Sequence, residues 1–339
     1  MANGEQTEKN GIVISSRARL ARNLAGYAFP SRLNSEDSLA ITQKVYSALG
    51  KGAEKYTIMR ISDLSELQGE ALKEMHLVSD DLLHGNKYAA AIVNPNNEIC
   101  VMVNEEDHIR AQCILRGNRL DEAYRRINDV DDLISASNKY AFDAKLGYLT
   151  ACPTNVGTGL RASALMFLPG LSLTRSLESC MNAVSRYDMT IRGEYGEGSE
   201  SEGYLYQVSN QKTLGMTEED IVKNVSSAVE QIVKNEKVAR KMLLDNNEIT
   251  LRDTIMRAYG MLTNAYAIGG KEFMEKLAFV KLGVYYGFLK CSDLAELDGL
   301  VEKCRPANLM LKEGRTMSAE ERDVCRAAFV SSELRSLVH

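Results

Sequence analysis

Hydrophobic and polar residues follow two different patterns, one on each side of about residue 215. Before that position, short β-like apolar runs are mixed with helical stretches and with loops rich in Gly, Asn and Asp. The runs that predict strands are 11–15, 89–93, 99–103 and 204–208. This mixture predicts an α+β or α/β fold.

From Thr217 onward the pattern becomes helical. Thr217 is followed by three acidic residues, which is typical of a helix start. Apolar residues then recur every three or four positions, and we expect this helix to end near Leu244. We therefore predict two domains, 1–244 and 245–339, of which the second is all-helical. The further helices are predicted at 249–262, 270–289 and 317–335.

The composition is that of an ordinary globular protein and excludes several classes. The 339 residues include 41 Lys and Arg against 46 Asp and Glu, and the net charge of −5 argues against a direct nucleic-acid partner. The seven cysteines form no C-x-x-C pair, so neither a disulfide framework nor a common zinc spacing is indicated, and a reducing cytoplasm fits best. The polar N-terminus and the lack of an apolar run of about 18 residues predict no signal peptide and no membrane partner.

Arginines recur in the run Ser-Ser-Arg-Ala-Arg-Leu-Ala-Arg at 15–22. In an extended strand, Arg17 and Arg19 project from the same face. Two adjacent guanidinium groups suit a polyphosphate, because the planar fork binds phosphate oxygens in pairs. The alternative is an edge strand whose arginines pair with surface acids.

A second charged run, Asn-Glu-Glu-Asp-His-Ile-Arg at 104–110, follows the buried-looking strand 99–103. Crowded carboxylates raise one another's pKa, whereas a neighbouring arginine favours the ionised form. Glu106 and Arg110 are therefore candidates for a base and an anion clamp. A charged turn with acids at a helix start would explain the same residues.

Residues 148–163 have the pattern of a strand, a glycine-bearing loop and a helix, an arrangement that binds anions through backbone N–H groups. Gly157 and Gly159 half-match a dinucleotide-binding fingerprint, but no alternating βαβ pattern surrounds them. Cys152 is either a reactive thiolate among cations or a cysteine that fills the core.

A last candidate lies at 189–199, where glycines surround Arg192 and Glu197. The glycines indicate a mobile loop that could close over a charged substrate. A plain hairpin turn is the alternative.

Together the four stretches supply five arginines, two separated glutamates and one cysteine. Arginines neutralise a nucleotide triphosphate with its Mg²⁺, and two carboxylates orient a cationic nucleophile for in-line phosphoryl transfer. The combination indicates a phosphotransferase whose acceptor is basic.

The same motifs, in the same order, resemble those of the ATP:guanidino phosphotransferases, the creatine and arginine kinase superfamily. The resemblance implies an α+β fold, in which an antiparallel-sheet catalytic domain flanked by helices is followed by an all-α C-terminal domain. Because the first motif begins at Ser15, we expect the chain to lack the helical domain that precedes it in the small-molecule kinases. On this expectation the chain most resembles the bacterial protein-arginine kinases. The motifs that carry the resemblance are 15–23, 104–110, 152–163 and 192–197.

The resemblance also implies the roles of individual residues. Glu106 and Glu197 would orient the target guanidinium and help to remove its proton, with Cys152 as a thiolate beside it. No protein ligand is implied for Mg²⁺, which would be held through the ATP phosphates and water. The residues implied in ATP binding are Ser15, Ser16, Arg17, Ala18, Arg19, His76, Arg110, Arg161, Ala162, Ser163, Ala164, Leu165, Arg192, Gly193, Glu194, Tyr195, Gly196 and Glu197.

A regulatory site is implied in the helical extension, where one segment matches the phosphoarginine-binding motif of the protein-arginine kinases. Its two arginines are four apart and share a helix face, although an ordinary charged surface helix is the alternative. Two departures from the family pattern are Phe167, where a His is expected, and Glu194, an added carboxylate. The motif residues are Arg322, Asp323, Arg326 and Ala327.

Partners and alternatives follow from the same resemblance. It implies protein substrates with exposed arginines, a Clp-type unfoldase-protease that degrades marked proteins in the stress response, a zinc-binding activator and a heat-shock repressor as substrate. A homodimer is expected, and the apolar residues of 251–284 form either its interface or the core of the extension. The alternative functions are a phosphagen kinase acting on free arginine and a phosphoarginine-responsive adaptor without catalysis.

Overall fold

The computed structural model of the protein describes residues 11–194 and 201–339. Within these ranges the chain divides into two compact units. The first unit comprises residues 15–164 and 209–227, and the second comprises the described residues of 1–14, 165–208 and 228–339. Tyr195, Gly196 and Glu197, which belong to the predicted loop site, lie outside the described residues.

Most strands of the described residues belong to an antiparallel sheet. The strands are β1 (Val13–Arg22), β2 (Thr57–Arg60), β3 (Ala90–Val93), β4 (Ile99–Val103), β5 (Ile109–Arg116), β6 (Phe142–Asp143), β7 (Gly147–Tyr148), β8 (Leu160–Phe167), β9 (Met189–Gly193) and β10 (Leu205–Asn210). In the first unit the sheet has the order β2-β3-β4-β5-β1-β8, with antiparallel pairing from β2 through β1. In the second unit the order is β8-β10-β9. The strands β6 and β7 form a separate hairpin in the first unit.

Helices cover the sheet of the first unit. There α4 packs on β5, and α1 packs against α4 and β4. The buried positions of α4, which include Leu120, Ala123 and Ile127, recur at three- and four-residue spacing, as expected of a helix with one apolar face. The helices of the described residues are α1 (Ser35–Leu49), α2 (Glu66–Glu74), α3 (Asp80–His84), α4 (Leu120–Ser135), α5 (Pro169–Leu173), α6 (Leu177–Ser185), α7 (Glu218–Asn264), α8 (Gly270–Tyr285), α9 (Leu294–Lys303), α10 (Pro306–Glu313) and α11 (Ala319–Leu337).

The fold class predicted from the sequence is confirmed, because an antiparallel sheet with flanking helices is followed by the helical region α7–α11. The predicted break between a helix ending near Leu244 and a helix at 249–262 corresponds to the non-helical dihedral angles at Asn247 within α7. One local prediction is wrong. The segment after Gly159, expected to be helical, forms β8, because Leu160, Ala162 and Ala164 are buried alongside Ser163 and so both faces of the segment are covered.

The second unit has a large apolar core of its own. Phe167 and Leu205 are buried in one cluster with residues of α7, α8, α9 and α11. The sequence left open whether the apolar residues of 251–284 form a dimer interface or the core of the helical extension. In the structure they belong to this cluster and form the core. They are Leu251, Ile255, Leu262, Phe273, Leu277, Val280 and, packed against the others, Val284. Within the described ranges, no helix has the length and apolar character needed to cross a membrane.

Candidate active site

Arg17 and Arg19 lie on one face of β1, as the alternation of the strand predicts. Ser16 and Ala18 are fully buried, whereas Arg17 and Arg19 are partly exposed. Ser16 Oγ donates to a backbone carbonyl and accepts from a backbone N–H, so its hydroxyl serves the packed side of the sheet. The predicted pairing of these two arginines on the open face is therefore present.

Arg110 and Arg161 join this face from the neighbouring strands. In the register of β1 and β5, Ala21 is opposite Arg110, so Arg110 shares the face of Arg19 two residues away. Arg161 in β8 donates from Nη2 to Ser209 Oγ at 3.1 Å. We refer to Arg17, Arg19, Arg110 and Arg161 as the arginine cluster.

Within the arginine cluster, Arg19 lies in an environment that disfavours its positive charge. Burial and the positive charges of Arg110, Arg17 and Arg161 lower the pKa of Arg19 well below its usual value, and Glu105 acts in the opposite direction. Since guanidinium groups bind phosphate oxygens in pairs, a polyphosphate fits this excess of positive charge. In the part of the chain that the structure describes, no group of three or more His, Cys, Asp or Glu side chains forms a metal site.

His76 approaches the same face through its backbone. It has a φ of 57°, and its carbonyl accepts from Gln112 Nε2 at 2.7 Å. Gln112 is opposite Arg19 in the β1–β5 register. The segment that carries His76 is therefore held next to the arginine cluster.

The motif 104–110 forms the tight turn between β4 and β5 rather than the start of a helix. Asn104 has a φ of 61°, a conformation that Asn tolerates better than most residues. Its N–H donates to the carbonyl of His108 at 3.0 Å, and its side chain donates to the carbonyl of Ser38 in α1 at 2.9 Å. The turn is therefore fixed by its own backbone and by a neighbouring helix.

The carboxylates of this turn have different partners. Glu105 is buried and forms an ion pair with Arg110, whereas Glu106 is exposed. Arg110, the candidate anion clamp, therefore pairs with the carboxylate that precedes the candidate base Glu106. The side chain of Glu105 points inward and that of Glu106 points outward. The carboxylate of Glu106 is therefore accessible to a substrate guanidinium. The role of Glu105 was not predictable, because two adjacent identical side chains give no sign of which one is buried.

Asp107 connects this turn to the loop that carries Cys152. Its Oδ1 accepts from the backbone N–H of Ala151 at 2.7 Å. Cys152 is half-buried, and its Sγ lies 3.0 Å from Thr154 Oγ1. Because Glu106 precedes Asp107 and Ala151 precedes Cys152, the candidate base and the candidate thiolate are held on one connected backbone framework.

His108 supports the framework as a neutral side chain. Its Nδ1 accepts from the backbone N–H of Leu24 at 3.0 Å, and its Nε2 donates to the carbonyl of Ala28 at 2.7 Å. Burial lowers the pKa of His108, although the bond to Ala28 acts in the opposite direction. The protonated ring could not accept from Leu24 at Nδ1, so this arrangement requires the neutral form.

Gly157 and Gly159 allow close contacts between backbone segments. Both have positive φ, 113° and 63°. A Cβ on Gly157 would lie 2.3 Å from the carbonyl oxygen of Thr213, and one on Gly159 would lie 2.6 Å from that of Ala21. These contacts account for both glycines without a dinucleotide fingerprint.

Arg22 is a further important residue that sequence analysis named only as part of a motif. It is 1% exposed, and its guanidinium contacts Asp131 Oδ2 at 2.9 Å and Glu218 Oε1 at 3.0 Å. Nη1 donates to the carbonyl of Thr158 at 2.7 Å, and the Tyr148 ring centre lies 3.6 Å from Cζ. Arg22 therefore anchors the loop after Cys152. Its odd spacing from Arg19 was the available signal, because it puts Arg22 on the opposite face of β1.

The other predicted ATP-binding residues of β8 and β9 are either buried or belong to the second unit. Ala162, Ser163 and Ala164 are fully buried in β8. Arg192 is exposed at the end of β9 and belongs to the second unit together with Gly193 and Glu194. The structure thus brings together the arginine cluster and the backbone of His76, and it leaves the loop residues as a prediction.

The two arginines of the predicted regulatory motif differ in exposure. Arg326 is buried, donating from Nε to the carbonyl of Cys304 at 3.1 Å and from Nη1 to the carbonyl of Ile268 at 2.7 Å. The same Nη1 lies 2.5 Å from Asp323 Oδ1. Arg322 is partly exposed on the same helix, α11. Arg326 therefore holds α11 to the neighbouring backbone, and Arg322 is the more accessible of the two arginines.

Comparisons with known families divide the chain into two matching parts. Residues 39–239 match the family described as ATP:guanido phosphotransferase, C-terminal catalytic domain. Residues 248–339 match the family described as Protein-arginine kinase McsB C-terminal domain. The run 15–22 precedes the first of these matches.

Similar proteins cover nearly the whole chain. A protein-arginine kinase of Halothermothrix orenii is 41% identical over 97% of this chain and 95% of its own length. One from Clostridium kluyveri is 42% identical, covering 96% and 95%. Among solved structures, a lombricine kinase superposes with a TM-score of 0.60 at 23% identity, over 67% of this chain and 66% of its own. The duplicated taurocyamine kinase of Schistosoma mansoni with transition-state analogue components has a TM-score of 0.63 at 24% identity, over 81% and 46%. At these identities the two structures support the fold alone.

Proposed function

Because the chain belongs to the ATP:guanido phosphotransferase family and carries the C-terminal domain of protein-arginine kinases, we propose that it transfers the γ-phosphoryl group of ATP to arginine side chains of proteins. The observation that carries the proposal is the arginine cluster, whose mutual repulsion favours a bound polyphosphate. Arg17, Arg19, Arg110 and Arg161 hold the phosphates in this scheme. Mg²⁺, held through phosphates and water, supplies further neutralisation of their charge.

Glu106 acts as the base in this mechanism. The pKa of an arginine side chain lies above about 12, so a neutral guanidine is almost absent at pH 7 and its proton must be removed as the P–N bond forms. Glu106 is exposed in the turn that leads into the strand of Arg110, which supports this role. As the oxygen bridging the β- and γ-phosphorus atoms takes the electron pair of the broken bond, the arginine cluster stabilises the resulting ADP.

Cys152 and Glu197 complete the proposed acceptor site. The negative thiolate of Cys152 stabilises the positive charge of the substrate guanidinium at the nitrogens that do not react. Glu197 fixes the plane of this guanidinium group. The bond from Ala151 to Asp107 supports the assignment of Cys152, because it fixes the Cys152 loop to the turn of Glu106. Arg192, Gly193 and Glu194 remain proposed ATP contacts on the resemblance.

The function is tested by incubating the protein with MgATP and either an unfolded basic protein or free arginine. Mass spectrometry that avoids acid detects phosphoarginine, and a coupled assay measures ADP release. We expect label on protein arginines and little ADP release with free arginine. Consumption of free arginine at a comparable rate would favour a phosphagen kinase. Binding of phosphoarginine without any transfer would favour the adaptor.

We also propose that Arg322, Asp323, Arg326 and Ala327 bind phosphoarginine and regulate the enzyme. Arg322 is partly exposed on the helix that Arg326 anchors through its bonds to Cys304 and Ile268, which supports Arg322 as the accessible phosphate ligand. Arg322→Ala should weaken binding of a phosphoarginine peptide and leave basal transfer unchanged. Equal binding by the variant and the wild type would refute this assignment.

Self-association is proposed through exposed apolar residues of α7 and not through the buried core. Val238, Met242, Ile249 and Met256 are 60%, 52%, 87% and 45% exposed. Such residues on one helix suit a homodimer interface. Ile249→Glu should lower the molar mass measured by light scattering to that of one chain, and an unchanged mass would contradict this interface.

The cellular setting is proposed from the resemblance alone. Phosphorylated proteins are delivered to a Clp-type unfoldase-protease in the bacterial stress response, in the cytoplasm. A zinc-binding protein activates the kinase, and a heat-shock repressor is among its substrates. A pull-down of phosphorylated protein with the unfoldase, with and without MgATP during labelling, tests the first step.

A further inference from the structure

Glu105 connects the arginine cluster to the turn that carries Glu106. Its side chain is 0% exposed and forms an ion pair with Arg110. Ser79 Oγ donates to the same carboxylate oxygen, Oε1. The other oxygen, Oε2, accepts from the backbone N–H of Glu106 at 3.3 Å. One buried carboxylate therefore contacts a cluster arginine, the segment that follows His76, and the backbone of the proposed base.

The charge of Glu105 also acts on the rest of the cluster. It opposes the lowering of the pKa of Arg19 that the neighbouring arginines cause. Arg110 Nε is buried and has no hydrogen-bond partner among the described residues. Arg110 thus has one guanidinium nitrogen paired with Glu105 and another buried and unsatisfied, and an anion that reaches the cluster competes with Glu105 for the same side chain.

We propose that Glu105 is a positioning residue of the phosphotransfer site, which serves as the counter-charge of the arginine cluster and holds Arg110 and the backbone of Glu106 in a fixed relation. This inference rests on the proposed function. It assigns Glu105 no contact with the substrate. The negative charge of Glu105 lowers the affinity for the nucleotide, and in return Glu105 aligns the base Glu106 with the phosphate-binding Arg110.

Glu105→Gln tests the proposal, because it removes the charge and keeps the shape. Titration calorimetry with Mg²⁺ and a non-hydrolysable ATP analogue should give a dissociation constant about 3- to 10-fold lower than that of the wild type, since the competing charge is gone. The kcat for protein phosphorylation should fall about 10-fold or more, since a misplaced base loses much of its effect. A merely structural role would instead weaken both binding and turnover.

Glu98→Gln is the matched control. It removes the same charge from a carboxylate that pairs with Arg126 at 2.7 Å, in the same unit but outside the cluster. Nucleotide affinity and kcat should both stay at the wild-type level. An affinity of Glu105→Gln no greater than that of Glu98→Gln would overturn the proposal.

Glu105→Asp is a second variant that retains the buried charge and is suited to the case in which Glu105→Gln does not fold. It is one methylene shorter, so it cannot reach Arg110 and the N–H of Glu106 together. Nucleotide affinity should match the wild type while kcat falls, and a tightened affinity would contradict the proposal.

The affinity measurement needs no acceptor. A wild-type protein that binds MgATP and phosphorylates no arginine would therefore refute the proposed function and leave the counter-charge role to be decided by affinity.

Discussion

At the scale of single residues, Arg19 destabilises the folded protein electrostatically but binds phosphate in the proposed reaction. It lies among Arg17, Arg110 and Arg161, and together with burial these charges lower its pKa. In the absence of a polyphosphate, the folded state therefore bears a repulsion that the unfolded chain avoids. Residues of this kind are common at binding sites, where affinity is obtained at the expense of stability.

Arg19→Met should change stability and affinity in opposite directions. We expect the free energy of unfolding to rise by about 1 kcal/mol without nucleotide, because the repulsion is relieved. The affinity for an ATP analogue with Mg²⁺ should fall about 10-fold or more, because a charged hydrogen bond contributes about 1.5–3 kcal/mol. Urea unfolding and titration calorimetry measure the two effects.

Arg126→Met is the control for this experiment. Arg126 pairs with Glu98 at 2.7 Å and does not belong to the cluster. Its loss should lower stability and leave nucleotide affinity unchanged. If Arg19→Met destabilises the protein as Arg126→Met does, the cluster is not under electrostatic strain.

His108 gives the protein a predictable dependence on pH. Burial lowers its pKa in the folded state, whereas the unfolded value is about 6.5. Between these values the unfolded chain binds more protons, so the free energy of unfolding decreases as the pH falls from 7.5 towards 5.5. His108→Gln should reduce this decrease, as measured by urea unfolding at both pH values. An identical decrease in the variant would show that His108 does not cause it.

Single residues also mark the limit of what the sequence predicted. The common face of Arg17 and Arg19 followed from strand alternation, and the structure confirms it. The difference between Glu105 and Glu106 depends on a tight turn with a positive φ at Asn104, and no periodic pattern describes such a turn. For the same reason the ion pair of Arg110 with Glu105 was not predicted.

At the scale of secondary-structure elements, a buried ion network holds the active-site loops together. Arg22 from β1 pairs with Asp131 of α4 and with Glu218 of α7, and it donates to the loop at Thr158. Tyr124 Oη also donates to Glu218 at 2.9 Å. The loops between strands are therefore fixed by helices that are distant in sequence.

Arg22→Met should destabilise the protein strongly. It leaves the carboxylates of Asp131 and Glu218 buried without their partner, which costs about 3–5 kcal/mol. The exposed pair of Arg257 and Asp253 provides the control, since Arg257→Ala should change the free energy of unfolding by at most about 1 kcal/mol. Urea unfolding of both variants makes the comparison. Equal losses would mean that the network contributes no more than a surface ion pair.

Helices and strands were predictable where the residue types and the spacing of apolar residues indicated the same structure, as in β3, β4 and α8. The segment after Gly159 was predicted as a helix because a strand and a glycine-bearing loop precede it. A strand buried on both faces lacks the alternation of apolar and polar residues by which a half-buried strand is identified. The helices α9 and α10 were not predicted, although Asp293 caps the first and Pro306 begins the second.

At the scale of the whole molecule, the sequence families and the compact units divide the chain differently. The two family matches meet between 239 and 248, near the predicted boundary at 244. The second compact unit instead combines 165–208 with 228–339. Phe167 and Leu205 share their core with residues of the C-terminal helices. The helical extension therefore supports part of the catalytic family's own segment.

A chain ending at residue 244 should not fold fully. The cut removes most of the core that buries Phe167 and Leu205, so these side chains become exposed to water. We expect binding of a hydrophobic dye and rapid proteolysis within 165–208, compared with the full chain. A truncated chain that resists protease as the full chain does would contradict the shared core.

The central claim is that Glu106 activates a protein arginine next to the arginine cluster, and Glu106→Gln tests it most directly. The wild type, this variant and the control Glu36→Gln, an exposed residue of α1, are incubated with MgATP and an unfolded basic protein. Phosphoarginine is then measured by mass spectrometry without acid, and nucleotide affinity is measured by calorimetry. We predict that Glu106→Gln loses about 100-fold or more in phosphoarginine formation with unchanged nucleotide affinity, while Glu36→Gln matches the wild type. Wild-type phosphoarginine formation by Glu106→Gln would contradict the account.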